Sequence, residues 1–233
     1  MKMKRILVVA AHPDDEMLGC GASIAKWTAQ GHQVSIAILG EGATSRYSTR
    51  QAGLAATGPE EVSDLQRCAR AAAKVVGVTD VSFHGLPDNR FDSLPLLDVV
   101  KEVERRVAEL SPERVVTHHG SDLNVDHRAA YHAVLTATRP KPGHPVKEVL
   151  AFEVASSTEW GFQTIEPVFR GNHFEDVTTT LAKKLAALAQ YPSEMCAFPH
   201  PRSAEAVSAI ARRWGSVVGC EAAEAFQLVR GIH

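Results

Sequence analysis

The chain begins with two apolar segments that flank one helix, and this arrangement restricts the fold more than any other feature. Residues 6–11 are an uninterrupted apolar run typical of a buried strand, and residues 32–39 alternate as a second strand. Between them, residues 17–30 have the spacing of a helix, ended by Gly31. This order predicts a βαβ unit, and therefore a parallel sheet with a right-handed crossover.

The alternation of helices and strands continues along the rest of the chain. A loop rich in Gly, Ser, Thr and Ala is predicted over residues 40–59, where it would face a substrate. Further helices are predicted at residues 60–76, 96–110, 128–138, 179–191 and 204–214, and further strands at residues 80–83, 114–118 and 146–154. The pattern indicates the α/β class, in which loops at the carboxyl ends of strands build the site.

Composition indicates a single soluble domain that acts on small molecules. The 233 residues are 45% hydrophobic and 22% charged, which is enough apolar material for one sizeable core over residues 1–233. With 25 basic and 27 acidic residues, the chain has no basic footprint for nucleic acid or anionic lipid. The first apolar run is too short for a signal peptide or for membrane insertion, so we expect a cytoplasmic protein. The four cysteines are dispersed without a C-x-x-C pair, so neither a zinc ribbon nor a disulfide framework is predicted.

The loop after the first strand, AHPDDE at residues 11–16, carries an imidazole and three carboxylates. His12 and Asp15 are three residues apart across a turn, so both side chains can reach one ion. A catalytic zinc has three protein ligands and a water, and His127 is the best candidate for the third, because it also follows a strand and opens a helix. Zinc held there would lower the pKa of a bound water towards ~7. Asp14 is placed to remove a proton from that water and to deliver it to a leaving amine.

The same residues also have an ordinary structural interpretation. An isolated H-x-x-D pair is more often a buried or capping histidine, and acidic residues at a helix start favour the positive end of its dipole. An Asp-His pair before a helix, as at His127, is an ordinary helix start. Three acids and a histidine at one strand end exceed what capping needs, so we prefer the metal interpretation. Glu16 is assigned to the helix start or to the layer behind the ligands.

Three motifs follow strands along the chain: AHPDDE, then GEGATSR, then SDLNVDHRAAYHAV. Together they resemble the LmbE-like, or PIG-L, family of zinc-dependent N-deacetylases, and the similarity extends from residue 6 to residue 202. The resemblance implies a Rossmann-like three-layer sandwich with a mostly parallel sheet, which removes the N-acetyl group from an N-acetylglucosamine-type sugar or its conjugate. It implies that His12, Asp15 and His127 bind the metal and that Asp14 is the general base. Asp126 would be a carboxylate that orients a ligating imidazole.

Two places depart from the family pattern. Many members have a histidine three residues before the last metal ligand, where it stabilises the oxyanion. Here that position is Asn124, which donates a hydrogen bond but carries no charge. His200, in the segment FPHPRS, is a candidate for the electrophilic help that Asn124 cannot give. Several members also turn an arginine and a glutamate towards the substrate where this chain has Leu65 and Cys68.

Further polar residues are expected to contact the substrate, namely Glu41, Arg46, Asp88, Arg90 and Arg202. Arg46 is preferred over Arg67 and Arg70 as the compensating cation, because it lies in the loop rather than along a helix. Asp88 is suited to accept hydrogen bonds from sugar hydroxyls. The guanidinium groups of Arg90 and Arg202 suit a phosphate or carboxylate on a larger substrate. A turn aspartate or a surface arginine without a ligand is an equally ordinary interpretation of these residues.

The sequence therefore predicts a metal-dependent hydrolase that removes the N-acetyl group from an N-acetylated amino sugar or its conjugate. One alternative is an amidase acting on a mycothiol- or bacillithiol-type thiol conjugate. Another is a non-catalytic Rossmann module that binds sugar or nucleotide, although AHPDDE lacks G-x-G-x-x-G and would present carboxylates to a pyrophosphate. One Zn²⁺ per chain is expected, and Fe²⁺ is compatible with the same ligands. The apolar helix at residues 204–214 is compatible with a homo-oligomer.

Overall fold

The first strand, β1 (Arg5–Ala10), shows how the sheet divides the core into two parts. The computed structural model describes residues 3–45 and 47–232, apart from the side chains of residues 54 and 57–59. Ile6 and Val8 pack into one apolar cluster, whereas Leu7 and Val9 pack into another. Because successive strand side chains point to opposite faces, a strand covered on both faces is apolar throughout. The uninterrupted apolar run therefore belongs to a central strand.

The described strands form one seven-stranded sheet in the order β3-β2-β1-β4-β5-β7-β6. The other strands are β2 (Gln33–Gly40), β3 (Asp80–Leu86), β4 (Arg114–His118), β5 (Glu148–Phe152), β6 (His173–Asp176) and β7 (Ala223–Gly231). Strands β1 to β5 pair in parallel, and β7 lies antiparallel between β5 and β6. The strand order reverses between β1 and β4, and ligands bind at the carboxyl ends of strands at such a point.

Helices cover both faces of the sheet. They are α1 (Asp15–Ala29), α2 (Arg50–Val75), α3 (Leu96–Leu110), α4 (Val125–Ala137), α5 (Leu181–Leu188) and α6 (Ala204–Val218). Trp27 of α1, Ala72 of α2 and Leu188 of α5 belong to one apolar cluster, together with Val207 of α6. Helices α3 and α4 build the cluster on the opposite face. The predicted three-layer α/β sandwich with a mostly parallel sheet is confirmed.

The predicted loop over residues 40–59 was too long, because α2 begins at Arg50 rather than at residue 60. Thr49 caps this helix: its hydroxyl accepts a hydrogen bond from Ala52 N at 3.1 Å. The alanine-rich turns that follow favour the helical conformation. Smaller differences concern helix ends, since α4 begins at Val125 rather than residue 128 and α6 continues to Val218 rather than residue 214.

Strands β6 and β7 have no counterpart among the predicted elements. Strand β7 pairs with β5, and residues between the two contribute α5, α6 and β6. Because this pairing joins distant segments, no short hairpin turn marks it in the sequence. Among the described helices, none is both long and apolar enough to cross a membrane.

Candidate metal centre

His12, Asp15 and His127 come together where β1 and β4 end, and all three are buried. His12 Nδ1 lies 3.3 Å from Asp15 Oδ2, and His127 Nε2 lies 3.2 Å from the same oxygen. One candidate ligand atom from each residue lies within 4.8 Å of those of the other two. The structure thus places the three residues close enough to share one ion.

One atom of this cluster shows how well it fits a cation. Asp15 Oδ1 is buried and has no hydrogen-bond partner among the described residues, whereas Asp15 Oδ2 accepts a hydrogen bond from His12 N at 2.8 Å. A buried carboxylate oxygen without a partner is unfavourable, and a cation beside it would satisfy it. Two imidazoles and one carboxylate are typical of catalytic zinc and are compatible with ferrous iron. The residues present therefore fit a divalent metal ion.

Asp126 contacts the ring nitrogen of His12 that does not face Asp15. Its Oδ2 lies 3.0 Å from His12 Nε2, and its Oδ1 accepts a hydrogen bond from Phe91 N at 2.8 Å. His12 therefore presents one nitrogen towards Asp15 and the other towards a buried carboxylate. Such a partner fixes the orientation and tautomer of a ligating histidine.

Asp122 has the same relation to the second imidazole, and the sequence did not single it out. Its Oδ1 lies 3.2 Å from His127 Nδ1, and it accepts hydrogen bonds from the hydroxyls of Ser157 and Thr158. The sequence carries a weak signal for this role, because Asp122 lies four residues before Asp126, between β4 and the first turn of α4. Asp122, in the loop, and Asp126, in the first turn of α4, thus place one carboxylate behind each histidine.

The histidines and carboxylates of the centre shift one another's pKa values. Burial alone would raise the pKa of Asp15, but His127 holds it well below its usual range. Burial opposes a charge on His127, yet Asp15 and Asp122 raise its pKa to about 9. Burial and the neighbouring His127 lower the pKa of His118 to about 3, and its Nε2 accepts a hydrogen bond from Ala11 N at 2.8 Å. His118 is therefore a neutral acceptor that braces the first loop.

Asp14 lies beside the cluster and points to a different partner. Its Oδ2 accepts a hydrogen bond from Arg202 Nη1 at 2.8 Å. Arg202 Nε donates to Ser156 Oγ at 2.7 Å, and its Nη1 lies 3.4 Å from Glu194 Oε2. Burial raises the pKa of Asp14 well above its usual value, and Arg202 offsets part of that effect. Arg202 therefore contacts the proposed base directly.

Glu16 lies behind the first loop rather than in its pocket. One carboxylate oxygen accepts a hydrogen bond from Asp14 N at 3.0 Å, and the other accepts from the Tyr191 hydroxyl. Burial raises the pKa of Glu16 to about 7, although the bond from Tyr191 opposes this shift. The contacts give Glu16 a role in holding the backbone of Asp14.

A polar pocket of about 150 Å³ opens beside the cluster, and Asp14, Asp88, Asn124 and Arg202 all line it. Asp88 Oδ1 lies 3.2 Å from His12 Nε2, and Asp88 Oδ2 accepts a hydrogen bond from Ser45 N.

Asn124 caps α4, since its side-chain oxygen accepts a hydrogen bond from Asp126 N at 2.8 Å. Its amide nitrogen donates to Asn89 Oδ1 at 2.7 Å, so a substrate would have to compete for this donor.

The GEGATSR motif shapes the pocket without placing Glu41 in its wall. Glu41 accepts hydrogen bonds from Thr44 at 2.7 Å and from Arg50 at 3.1 Å, and so joins the loop to the start of α2. Gly42 has a φ of 74°, and a Cβ there would lie 2.6 Å from Pro13 Cδ. Glycine therefore allows this loop to pack against the AHPDDE turn.

Several residues considered as substrate contacts face other partners. Arg90 donates to Tyr47 O at 3.3 Å, and His200 packs edge-on to Trp160 with a ring-centre distance of 5.6 Å. Neither residue lines the pocket.

The two arginines of α2 also have protein partners: Arg67 forms an ion pair with Asp64, and Arg70 lies over the ring of Phe83. Leu65 is buried and Cys68 is half-buried on α2, while Arg46 lies outside the described residues.

A mostly parallel sandwich with a His-Asp-His cluster at its topological switch point defines an α/β protein with a candidate site for one metal ion. Residues 7–138 match the PIG-L family, described as GlcNAc-PI de-N-acetylase. The deacetylase YaiS of Escherichia coli K12 is 29% identical over 197 residues, which cover 82% of this chain and 92% of YaiS. A 1D-myo-inositol 2-acetamido-2-deoxy-alpha-D-glucopyranoside deacetylase of Actinosynnema mirum is 28% identical over 87% of this chain and 70% of its own length. The chain belongs to the PIG-L family of deacetylases, hydrolases of amide bonds, as its motifs predicted.

Solved structures share the fold over nearly the whole chain. The conserved protein TT1542 of Thermus thermophilus has a TM-score of 0.76 at 24% identity and covers 99% of this chain and 97% of its own. GalB, the 4-carboxy-2-hydroxymuconate hydratase of Pseudomonas putida, has a TM-score of 0.75 at 23% identity, covering 99% and 98%. The zinc-inhibited form of teicoplanin deacetylase Orf2 has a TM-score of 0.75 at 19% identity, covering 97% and 98%. One architecture thus spans all these chains.

Proposed function

We propose that the protein is a metal-dependent deacetylase that removes the N-acetyl group from an N-acetylated amino sugar or a conjugate of one. The observation that carries this proposal is the position of Asp14, whose carboxylate lines the same small pocket as His12 and His127. The name of the Actinosynnema mirum relative supports the substrate class, because it specifies a 2-acetamido sugar joined to inositol. A pocket of about 150 Å³ suits an acetamido group and part of one sugar ring.

The proposed ligands of the metal are His12, Asp15 and His127. A divalent ion bound there would supply Lewis acidity, which lowers the pKa of water and polarises an amide carbonyl. Asp126 and Asp122 would keep each imidazole oriented, since they lie at 3.0 Å and 3.2 Å from the nitrogens that face away from Asp15. Zinc is the proposed ion, with ferrous iron as the alternative for this set of ligands.

Asp14 is the proposed general base and acid. It accepts a proton from the attacking water as the water oxygen adds to the acetyl carbon. It then returns that proton to the nitrogen as the C–N bond breaks, so that acetate and the free amine leave. Asn124 is the proposed donor to the oxyanion, and it would exchange its bond to Asn89 for one to the substrate oxygen. His200 lies outside the pocket lining and would have to act indirectly.

Release of acetate from N-acetylated amino sugars and their conjugates by the zinc-loaded protein tests the proposal. Asp14→Asn is expected to lower kcat by about 10²–10⁴-fold while the bound metal stays near one ion per chain. Asp98→Asn, on the exposed side of α3, is the matched control and should leave kcat within about twofold. A near-normal rate for Asp14→Asn, or full activity after a chelator has removed all metal, would contradict the mechanism.

The same assay separates the proposed activity from its alternatives. A thiol-conjugate amidase would cleave S-conjugates in preference to simple acetamido sugars, which mass spectrometry of the products distinguishes. A binding module would lose nothing on metal removal. The fold alone does not separate a deacetylase from a hydratase, because the Pseudomonas putida hydratase shares it. A hydratase would add water to an unsaturated acid without releasing acetate.

A further inference from the structure

A second cavity, of about 580 Å³, lies between α6 and the segment that follows β5. Helix α6 contributes Val207, Ile210 and Trp214, which are spaced three and four residues apart and therefore share one face. Val168 and Phe169 belong to the rest of its mainly apolar lining. A volume in this range is typical of sites that bind small organic molecules.

The cavity is separate from the pocket of the metal centre. Ser156 and Ser157 line the metal pocket, whereas Ala155 and Thr158 line the cavity, so one short segment divides the two. Among the described residues, none is shared between the two linings. The cavity and the proposed acetyl-binding pocket therefore have separate linings on the two sides of this segment.

Glu153 is one of three carboxylates in this mainly apolar lining, beside Glu159 and Glu224. Glu153 lines the cavity, is half-buried and accepts a hydrogen bond from the Trp214 indole nitrogen. The Trp214 bond is made to Oε1 of this carboxylate, and burial raises the pKa of Glu153 although that bond opposes the shift. A ligand that brings a positive charge would compensate it.

The other charged groups of the lining are committed elsewhere. Lys184 is paired with Glu224 at 2.6 Å, and Glu159 accepts hydrogen bonds from backbone nitrogens of the dividing segment. Arg213 is exposed, with its guanidinium over the Trp214 ring, 4.1 Å from its centre, so solvent screens its charge. Among the carboxylates of the lining, Glu153 is thus the one that neither a lysine nor the dividing segment binds.

We propose that this cavity is a binding site for an apolar amine, a molecule with an aliphatic or aromatic body and one ammonium group that pairs with Glu153. The apolar walls take up the body, and the carboxylate selects the amine over an alcohol or an acid of the same length. This inference is independent of the proposed deacetylase activity, because its site and its test involve neither the metal nor Asp14.

Calorimetric titration with octylamine, octan-1-ol and octanoate, each below its aggregation concentration, tests the proposal. Octylamine is expected to bind one site per chain with a Kd below about 1 mM, and at least about tenfold more tightly than octanoate. Glu153→Gln should weaken octylamine binding about tenfold while changing octan-1-ol binding less than about twofold, because the variant removes the charge and keeps the shape.

A pair of variants on α6 locates the binding. Ile210 is 37% exposed at the cavity, so Ile210→Trp should obstruct it without overfilling the core and should weaken all three ligands. Val217 is 55% exposed and does not line the cavity, so Val217→Trp should leave binding unchanged. Saturable octylamine binding that survives both Ile210→Trp and Glu153→Gln would overturn the proposal, and so would the absence of such binding to the wild-type protein.

Discussion

Asp14 occupies a backbone conformation that few residues other than glycine adopt, with a φ of 107°. Such a conformation costs about 1–3 kcal/mol and persists only where the surroundings enforce it. The helix start provides that enforcement, because Asp14 O accepts hydrogen bonds from Met17 N at 3.0 Å and Leu18 N at 2.8 Å. The side chain makes no capping bond of its own. The carboxylate therefore does not cap the helix and instead accepts a hydrogen bond from Arg202 in the pocket.

Arg202 should act through Asp14 rather than by binding substrate anions. Its Nε and Nη1 donate to Ser156 and Asp14 at 2.7 Å and 2.8 Å, a fork that lysine cannot reproduce. We expect Arg202→Lys to lower kcat at least about tenfold with a smaller change in KM, because the base loses its orientation. Acetate-release kinetics on a neutral and an anionic acetylated sugar measure this. An unchanged kcat with a KM raised only for the anionic sugar would show that Arg202 binds substrate, as the sequence suggested.

The sequence could point to His12, Asp15 and His127 because each lies in a short motif at a strand end. It could not supply their environment. The contact between Arg202 and Asp14 joins residues 188 positions apart, and the bond from Thr158 to Asp122 joins distant loops. Such contacts depend on how the strands are ordered in the sheet, and the spacing of residues within a motif does not indicate that order.

Helix α1 is interrupted at Cys20, where φ is −146°. The buried ion pair of Lys184 and Glu224 forms hydrogen bonds with backbone groups on either side of this interruption. Ala22 N and Ser23 N donate to the carboxylate of Glu224 at 3.2 Å and 2.6 Å instead of to the preceding turn. Lys184 Nζ donates to Leu18 O at 2.7 Å and to Glu224 at 2.6 Å. The pair therefore satisfies backbone groups that an unbroken helix would satisfy by itself.

Lys184→Met is expected to destabilise the protein by about 3–5 kcal/mol, because it leaves the buried carboxylate of Glu224 without its cation. Urea denaturation followed by circular dichroism gives the free energy of unfolding. The neighbouring Lys183 is exposed, so Lys183→Met serves as the control and should change stability by less than about 0.5 kcal/mol. Equal effects of the two variants would show that the pair does not hold the interrupted helix.

Glu175 fastens the edge strand β6 to α1 and makes part of the stability depend on pH. It accepts hydrogen bonds from Lys26 Nζ at 2.7 Å and Trp27 Nε1 at 3.0 Å. Burial alone would raise the pKa of Glu175, but these two bonds lower it below the usual 4.5. A carboxylate with a lowered pKa in the folded state stabilises above its unfolded value, and the contribution is lost as the pH falls through the folded value.

Glu175→Gln should therefore reduce the free energy of unfolding by about 1–3 kcal/mol at pH 7, where the wild-type carboxylate is charged. The difference between the two proteins should shrink progressively below pH 4.5 as the wild-type group becomes protonated. Parallel urea titrations from pH 3 to pH 7 measure that difference. A constant difference across this range would mean that the contacts contribute through shape rather than charge.

At the scale of the whole molecule, the parallel half of the sheet was predictable and the antiparallel half was not. Strand β1 is recognisable in the sequence because burial on both faces makes it apolar, and β2 is recognisable because it alternates and one helix joins it to β1. Strand β7 lies at the end of the chain and pairs with β5 across the residues that form α5 and α6, so local spacing does not indicate its partner. The crevice at the carboxyl ends of β1 and β4 follows from the predictable part, which is why the meeting of His12, Asp15 and His127 there could be anticipated.

The candidate metal centre joins residues from distant parts of the chain, so an ion bound there should stabilise the fold as a whole. An ion that binds only the folded state adds about 2.7 kcal/mol when its free concentration is a hundred times Kd. For a domain of this size that corresponds to roughly 5–10 °C in Tm. Calorimetry of the chelated protein with added zinc should show this rise. His127→Ala should abolish most of it and lower the metal content, whereas His132→Ala, on the exposed side of α4, should retain it. A full rise with His127→Ala would mean that the stabilising ion binds elsewhere, because no site that depends on this imidazole could survive its removal.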